Sequence, residues 1–570
     1  MSMVSAPYAH YEGASFYRSK KWSIGEGEIG GKAKGVAFAA EALQTNPLGK
    51  CIDFPRVSYV LTTEVFNDFM VRNNLEPVVR SAENFEEIER AFEAANFSES
   101  LRDTLVNILL DIDTPVAVRS SSVLEDDLAF SFAGKYSTRF FGNSGDLEYR
   151  LHRFERAIKL VYASTFNPSA KEYRRRHGIK LAQERMAIII QPIVGRERGQ
   201  LYYPELAGVA FSKVYRRPSP RVKREEGLLR LCFGLGTRAV ARANAKVFYL
   251  SLPGLRVEGN RASDIIAHAQ DEFDYIDLKR GFFLSNRIDM ALDHIVTHHK
   301  NAYSFLELSD GEMFYMLHGG IVSDIQKMWP VMTFSNFPRR FSTFFEKICC
   351  LLKLMEEKAG LAVDLEFTYE TEDDRLALVQ MRPLATFEEW GDVEIPQIPS
   401  ERIVLRGNRM ISNGKLMGVR HLVYVDPKLY MEMREFVQIA RAVGKANEKL
   451  SGERYILVGP GRWGSTNPLL GVPVSYGEIS GCGCIVEVSI PSAGVVPELS
   501  YGSHFFLDLD TDKILYLPVF CGEHGNICNE QWFEKTPFFV GEHEAVRIYE
   551  GNFGVYLNGE REIGVIVDET

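Results

Sequence analysis

Apolar and polar positions follow two different rhythms along this chain, and the change falls near Ile395. From Gly25 to Leu43, GEGEIGGKAKGVAFAAEAL passes from a glycine-rich stretch into an alanine-rich helical pattern, a loop-then-helix order suited to holding an anion. PRVSYVLTTEVF, from Pro55 to Phe66, reads as a strand running into a helix, and acidic helical stretches continue to about Asp113. TPVAVRS predicts a strand ending at Arg119 in a serine-rich loop. A basic helical region from Leu147 to His177 follows, then the strand RMAIIIQPIV, ending near Val194.

Around Ile395, EWGDVEIPQIPSERIV loses periodicity and gains prolines, the pattern of a linker. Beyond it, GCIVEVSIPSAG, SHFFLDLD, KILYLPVF and FGVYLNGEREIGVIV are short apolar runs separated by Gly, Pro and Asn, which predicts a mostly β tail. One helix, from about Pro427 to Leu450, interrupts it. The expected organisation is a module over residues 1–393, a linker over 394–401 and a β-rich domain over 402–570, with an α+β fold overall. A chain of 570 residues exceeds what one core supports, which agrees with more than one domain.

Composition narrows the function classes. Hydrophobic residues at 45% and charged residues at 25% are globular values, so neither disorder nor a fibrous design is indicated. A net charge of -10 argues against a generic nucleic-acid partner, which needs a basic surface. The basic run YRRPSPRVKR, from Tyr215 to Arg224, reads as a solvated loop. No window reaches 18 consecutive apolar residues and the N-terminus lacks a signal-peptide pattern, so the expectation is a soluble, cytoplasmic protein with no membrane partner. The eight cysteines then read as reduced thiols.

Three segments carry the residue types that polyphosphate chemistry requires: cations, amide donors and oxygen ligands for a divalent metal. Lys32 lies in GGKAKG between glycines that let the backbone approach a phosphate, although such a lysine on its own also fits a plain surface turn. Arg119 opens RSSSVLEDDLAFSFAGKYST, where hydroxyls follow an obligate cation; pairing with Glu125, Asp126 or Asp127 is the structural alternative. VDLEFTYETEDDRLALVQMRP, from Val363 to Pro383, reads as a hairpin. If it is symmetric about Asp373, Glu366 faces Gln380 and Asp364 faces Arg382, all on one side of the sheet. A carboxylate beside an amide oxygen is a magnesium platform, and the neighbouring arginine can reach the same phosphates.

GGKAKG, VRSSSVLEDDLAFSFAGKYST, IIIQPIV, LAGVAFS, LCFGLGTRAV and DLEFTYETEDDRLALVQMRPL occur in this order. Together they resemble the nucleotide-binding domain of the phosphoenolpyruvate synthase and pyruvate phosphate dikinase family over about residues 20–390. The resemblance implies an ATP-grasp fold with ATP and Mg2+ bound, and adenine near Gln191–Val194. It further implies phosphate contacts from Lys32, Arg119 and Arg382, with Arg119 and Arg382 also catalytic, metal ligation by Glu366 and Gln380, and cofactor binding by Asp364 and Gln191. Two departures bear on specificity: the basic insertion after Phe211, and Thr237-Arg238 after Gly234-Leu235-Gly236, where the family often has an acidic residue.

The family passes phosphate through a histidine to a separate barrel. About 180 residues beyond the module are too few for a (β/α)8 barrel of roughly 250 residues. The nearest counterpart of the family's phosphohistidine signature is Ser500-Tyr501-Gly502-Ser503-His504, which makes His504 a candidate catalytic residue and phosphate acceptor. In the tail, Gly459, Gly461 and Gly464 form either an anion or substrate loop around Arg462 and Trp463 or a structural turn. Cys482, Cys484, Cys521, His524 and Cys528 could ligate zinc, with buried free thiols as the default. The leading expectation is an ATP- and Mg2+-dependent phosphotransferase acting on an unidentified acceptor other than pyruvate. A non-catalytic ATP sensor, or one subunit of a split phosphotransferase, is the alternative, and homo-oligomerisation stays open.

Overall fold

A computed structural model describes residues 6–123, 136–168, 170–171, 174, 184–214, 221–241, 245–256, 261–316, 328–384, 393–450, 452–465, 468–479, 481–489, 514–559 and 561–570. The chain divides into two compact units, one of residues 1–214 with 225–386 and one of residues 215–224 with 387–570. Both mix helices and sheets.

The first unit is built on two large sheets and a small one. In the nine-stranded sheet, Val116–Ser122 lies between Met186–Pro192 and Thr138–Phe141, antiparallel to both. The six-stranded sheet runs Lys246–Tyr249, Leu228–Phe233, Leu206–Phe211, Val363–Glu370, Arg375–Pro383, Ile52–Asp53. The strands Leu206–Phe211, Val363–Glu370 and Arg375–Pro383 are buried over most of their length, as expected of strands covered on both sides.

The helix Gly30–Gln44 packs against both sheets. Ala33, Val36, Ala37 and Ala40 lie against Val60, Ala187 and Ile189 of the nine-stranded sheet. A Cβ at Gly35 would come within 1.9 Å of Met381 O, so the helix backbone rests directly on a strand of the other sheet. Alanine and glycine on these faces permit that approach, and alanine also has the highest helix propensity. The strand expected to stop at Arg119 continues to Ser122, because Ser120, Ser121 and Ser122 keep pairing with Ile188, Ala187 and Met186.

The second unit holds a nine-stranded sheet. Leu515–Phe520, Cys482–Ser489, Tyr455–Pro460 and Gly414–Val425 are parallel neighbours, and Val546–Asn558, Ile563–Asp568, Ile403–Gly407 and Ile527–Cys528 continue the sheet antiparallel. The sheet curls towards closure: Ser412, just beyond Ile403–Gly407, donates its N–H to Tyr516 O at 3.1 Å and accepts the Tyr516 N–H at 2.8 Å. In place of one helix over 427–450 there are two, Pro427–Met433 and Phe436–Lys449, separated at Arg434, whose φ is +54°. Asp426 caps the first by accepting from Lys428 N and Leu429 N.

Candidate functional site

The glycine-rich loop is tied down on both sides before the helix begins. Glu26 N donates to Glu64 Oε2 at 2.6 Å and Glu28 N to Thr63 Oγ1 at 3.0 Å, which joins the loop to the start of helix Thr63–Arg72. Gly30 has φ +73°, and a Cβ there would stand 1.6 Å from Ser121 O, so only glycine fits. Ser121 then pegs the helix start: its hydroxyl donates to Ile29 O at 2.8 Å and accepts the Ala33 N–H at 3.0 Å. Ile29 supplies no side-chain cap, so the first turn keeps its positive end directed along the loop. Lys32 Nζ reaches Ser120 Oγ at 3.1 Å.

Arg119 and Gln191 share one face of the nine-stranded sheet, because Ala117 pairs with Gln191 and Arg119 with Ile189. In the other large sheet, Asp364 pairs with Arg382 and Glu366 with Gln380, the pairs that symmetry about residue 373 gives. Past Glu366 the register shifts, so that Phe367 meets Leu378 and Val379 bulges out. Asp364, Glu366, Gln380 and Arg382 therefore lie on one face.

An ion pair joins the two sheets: Arg119 Nη2 donates to Glu366 Oε2 at 2.5 Å, while within the six-stranded sheet Arg382 Nε donates to Asp364 Oδ2 at 2.5 Å. Burial pushes the Glu366 carboxyl up, but Arg119 and Arg382, with Lys32 behind them, outweigh it and hold the group below the usual carboxylate range. Gln380 is 2% exposed, and among the described residues its Oε1 has no hydrogen-bond donor. Gln191 is likewise 2% exposed; its Nε2 donates to Ser58 Oγ at 3.1 Å, and among the described residues its Oε1 also has no donor. A buried amide oxygen without a donor costs about 1–3 kcal/mol, so two of them beside a charge cluster require an explanation. A carboxylate and an amide oxygen on adjacent strands are hard oxygen donors, and that donor set fits Mg2+.

Lys32, Arg119, Gln191, Asp364, Glu366, Gln380 and Arg382 thus all belong to the first unit. His504 lies outside the described residues. Ser120 and Ser121 were not singled out from sequence, although the uninterrupted serine run after Arg119 was the available signal. At the departure from the family pattern, Thr237 Oγ1 donates to Asp274 Oδ2 at 2.6 Å and Arg238 pairs with Glu272 at 2.8 Å and Asp274 at 3.0 Å.

The tail motifs resolve differently. Trp463 is fully buried, with Nε1 donating to Val486 O at 3.1 Å and its backbone N–H to Glu487 Oε1 at 3.1 Å, so it anchors the glycine-rich loop to the sheet. Cys482 and Cys484 are buried on a strand. Among the described residues, no group of three or more His, Cys, Asp or Glu side chains is arranged to hold a metal ion. No helix among them is long and apolar enough to cross a membrane.

Comparison with known proteins bears on the first unit. The family model for the pyruvate phosphate dikinase AMP/ATP-binding domain matches residues 26–402. An uncharacterised phosphotransferase of Bacillus subtilis is 28% identical over 186 residues, 32% of this chain and 20% of that protein. The phosphoenolpyruvate synthase of Deinococcus radiodurans is 30% identical over 179 residues, 31% of this chain and 21% of its own length. A rifampicin phosphotransferase of Streptomyces sviceus is 34% identical over 99 residues, 17% and 10% respectively. The matched stretches span about a fifth or less of these relatives.

Proposed function

The chain belongs to the pyruvate phosphate dikinase family through its AMP/ATP-binding domain, and on that premise we propose that it is an ATP- and Mg2+-dependent phosphotransferase acting on an acceptor other than pyruvate. The observation that carries the reading is the Lys32, Arg119, Glu366, Gln380, Arg382 cluster, with a buried, unsatisfied amide oxygen beside a carboxylate. In this reading the first unit is an ATP-grasp module with its nucleotide between the two large sheets.

Glu366 and Gln380 would hold Mg2+, which supplies charge neutralisation on the phosphate oxygens. Lys32, Arg119 and Arg382 bind and orient the phosphates, and the unfilled amide of Gln191 supports recognition of adenine. Asp364 keeps the Arg382 guanidinium aimed along the sheet face through its 2.5 Å ion pair. Arg119 pairs with Glu366, and both side chains are largely shielded from solvent. His504 enters the proposal as phosphate acceptor on sequence grounds alone.

The second unit's sheet, half parallel and half antiparallel, is not a (β/α)8 arrangement, so this unit is not itself a barrel of that kind. The test is incubation of purified protein with β-labelled and γ-labelled ATP and Mg2+, followed by separation of AMP, ADP and phosphate. Release of AMP with label on protein or acceptor is the dikinase outcome. Tight ATP binding without any turnover would replace this reading with a non-catalytic sensor.

A further inference from the structure

The sheet face that carries Asp364, Glu366, Gln380 and Arg382 continues beyond those two strands. Residues directly opposite each other in antiparallel strands share a face. Glu366 pairs with Val209 and Val209 with Arg230, so Gln380, Glu366, Val209 and Arg230 form one row across four strands. By the same pairings Arg382, Asp364, Phe211 and Leu228 form the next row. The opposite face is closed by packing: Leu229, Leu231, Leu365 and Phe367 share a cluster with Phe344 and Ile348 of the helix Ser342–Ala359.

Leu206–Phe211 and Leu228–Phe233 carry a single charged residue, Arg230. On their site-facing side Ala207, Val209, Phe211 and Cys232 form an apolar cluster, whereas Arg230 is half-buried. Its Cζ lies 5.4 Å from the centre of the Phe211 ring, so the guanidinium leans from the Glu366 row towards the Asp364 row. The stem lies along apolar surface while the head keeps a permanent charge. Two strand spacings, about 10 Å, separate the Arg230 and Glu366 backbones.

On the assignment of the ATP site made above, on which this inference rests, we propose that Arg230 is a further phosphate-binding residue, contacting the β- and γ-phosphates from the flank opposite Gln380 and Arg382. Mg2+ held by Glu366 and Gln380 would neutralise charge on those two phosphates, over the row that Arg230 shares. Arg382 then approaches them from one strand beyond Glu366, and Arg230 from two strands away on the other side. AMP lacks both phosphates and gives Arg230 nothing to hold.

The test titrates full-length protein with the β,γ-imido analogue of ATP plus Mg2+ and, separately, with AMP. Arg230→Ala and Arg230→Gln should each weaken the analogue by about ten- to a hundredfold and leave AMP affinity at its wild-type value. Arg230→Lys should recover part of the loss, because the charge stays while the forked donors go. Unchanged analogue affinity in the Ala and Gln variants would overturn the proposal. So would an AMP affinity that fell as far as the analogue's, since Arg230 would then support the fold rather than the phosphates. Wild-type protein that bound neither nucleotide would overturn the ATP-site reading itself, and this proposal with it.

Discussion

Each unit holds a carboxylate on an inner strand, Glu487 buried and Glu366 half-buried, and the two have different surroundings. Glu487, in the second unit, is 1% exposed and accepts the Trp463 N–H at 3.1 Å and the Tyr516 O–H at 2.7 Å, donors from the loop after Tyr455–Pro460 and from the neighbouring strand Leu515–Phe520. Glu366, in the first, faces cations from a helix start, another sheet and the adjacent strand, and sits beside a glutamine oxygen with no donor among the described residues. The Glu487 bonds to Trp463 and Tyr516 tie a loop and a neighbouring strand to its own strand. A carboxylate faced by cations from distant segments, next to an amide oxygen without a donor among the described residues, is the arrangement that the proposed phosphate and metal site requires.

The sharpest way to break this contrast is to remove each carboxylate in turn. Glu366→Ala should cut Mg2+-dependent ATP turnover by at least about a hundredfold, read in a product assay, with little change in the unfolding midpoint. Glu487→Ala should do the reverse, costing about 2–4 kcal/mol in denaturant unfolding through its stranded donors and the space left behind, with the KM for ATP near wild type. Equal catalytic damage from both would erase the distinction.

Lys32→Ala and Arg119→Ala come next. Each should raise the KM for ATP by about ten- to a hundredfold, since charge-assisted hydrogen bonds to phosphate are among the stronger ones, while circular dichroism stays unchanged. Gln380→Ala should be milder, about tenfold in the Mg2+ requirement, because a neutral ligand contributes less than a carboxylate. Wild-type Mg2+ dependence in that variant would remove Gln380 from the site.

Acidification sharpens the comparison least but extends it to a third buried polar cluster. His299 lies between Glu205 Oε1 at 3.1 Å and Tyr203 OH at 2.9 Å, and Tyr203 OH also meets His294 Nε2 at 3.0 Å. Burial, with His298, His299 and Arg198 nearby, lowers His294 to about 4. A histidine depressed in the fold contributes stability fully above its unfolded value near 6.5, and that contribution is lost as pH falls from there towards 4. Glu366, also depressed, loses its contribution only below the ordinary carboxylate range. Thermal melting should therefore drop between pH 6.5 and 4.5, less steeply in His294→Asn, while ATP affinity holds over pH 5.5–8. ATP affinity that fell together with the melting temperature would place this cluster in the site.

How far the sequence exposed this site depends on how local each part is. The pairs Asp364–Arg382 and Glu366–Gln380 were readable because polar residues alternate at the end of otherwise apolar strands. The bulge at Val379 was not, since a β-branched apolar residue there fits an uninterrupted strand equally well. Arg119 and Glu366 lie 247 positions apart, and no periodicity connects them. Their neighbourhood could be reached from sequence only through the family resemblance. The break at Arg434 escaped for another reason: its left-handed backbone is held by a non-glycine residue, with no proline or glycine to mark it. The parallel half of the second unit's sheet was also unread, because short buried runs carry no sign of strand direction.

The most direct measurement is calorimetric titration of the wild-type protein with a non-hydrolysable ATP analogue, with and without Mg2+, alongside Arg119→Ala and Glu366→Gln. The account predicts saturable binding with Mg2+, weakened at least about tenfold by omitting the metal or by either substitution. No binding at millimolar analogue with Mg2+ present, or affinity unchanged in both variants, would contradict it.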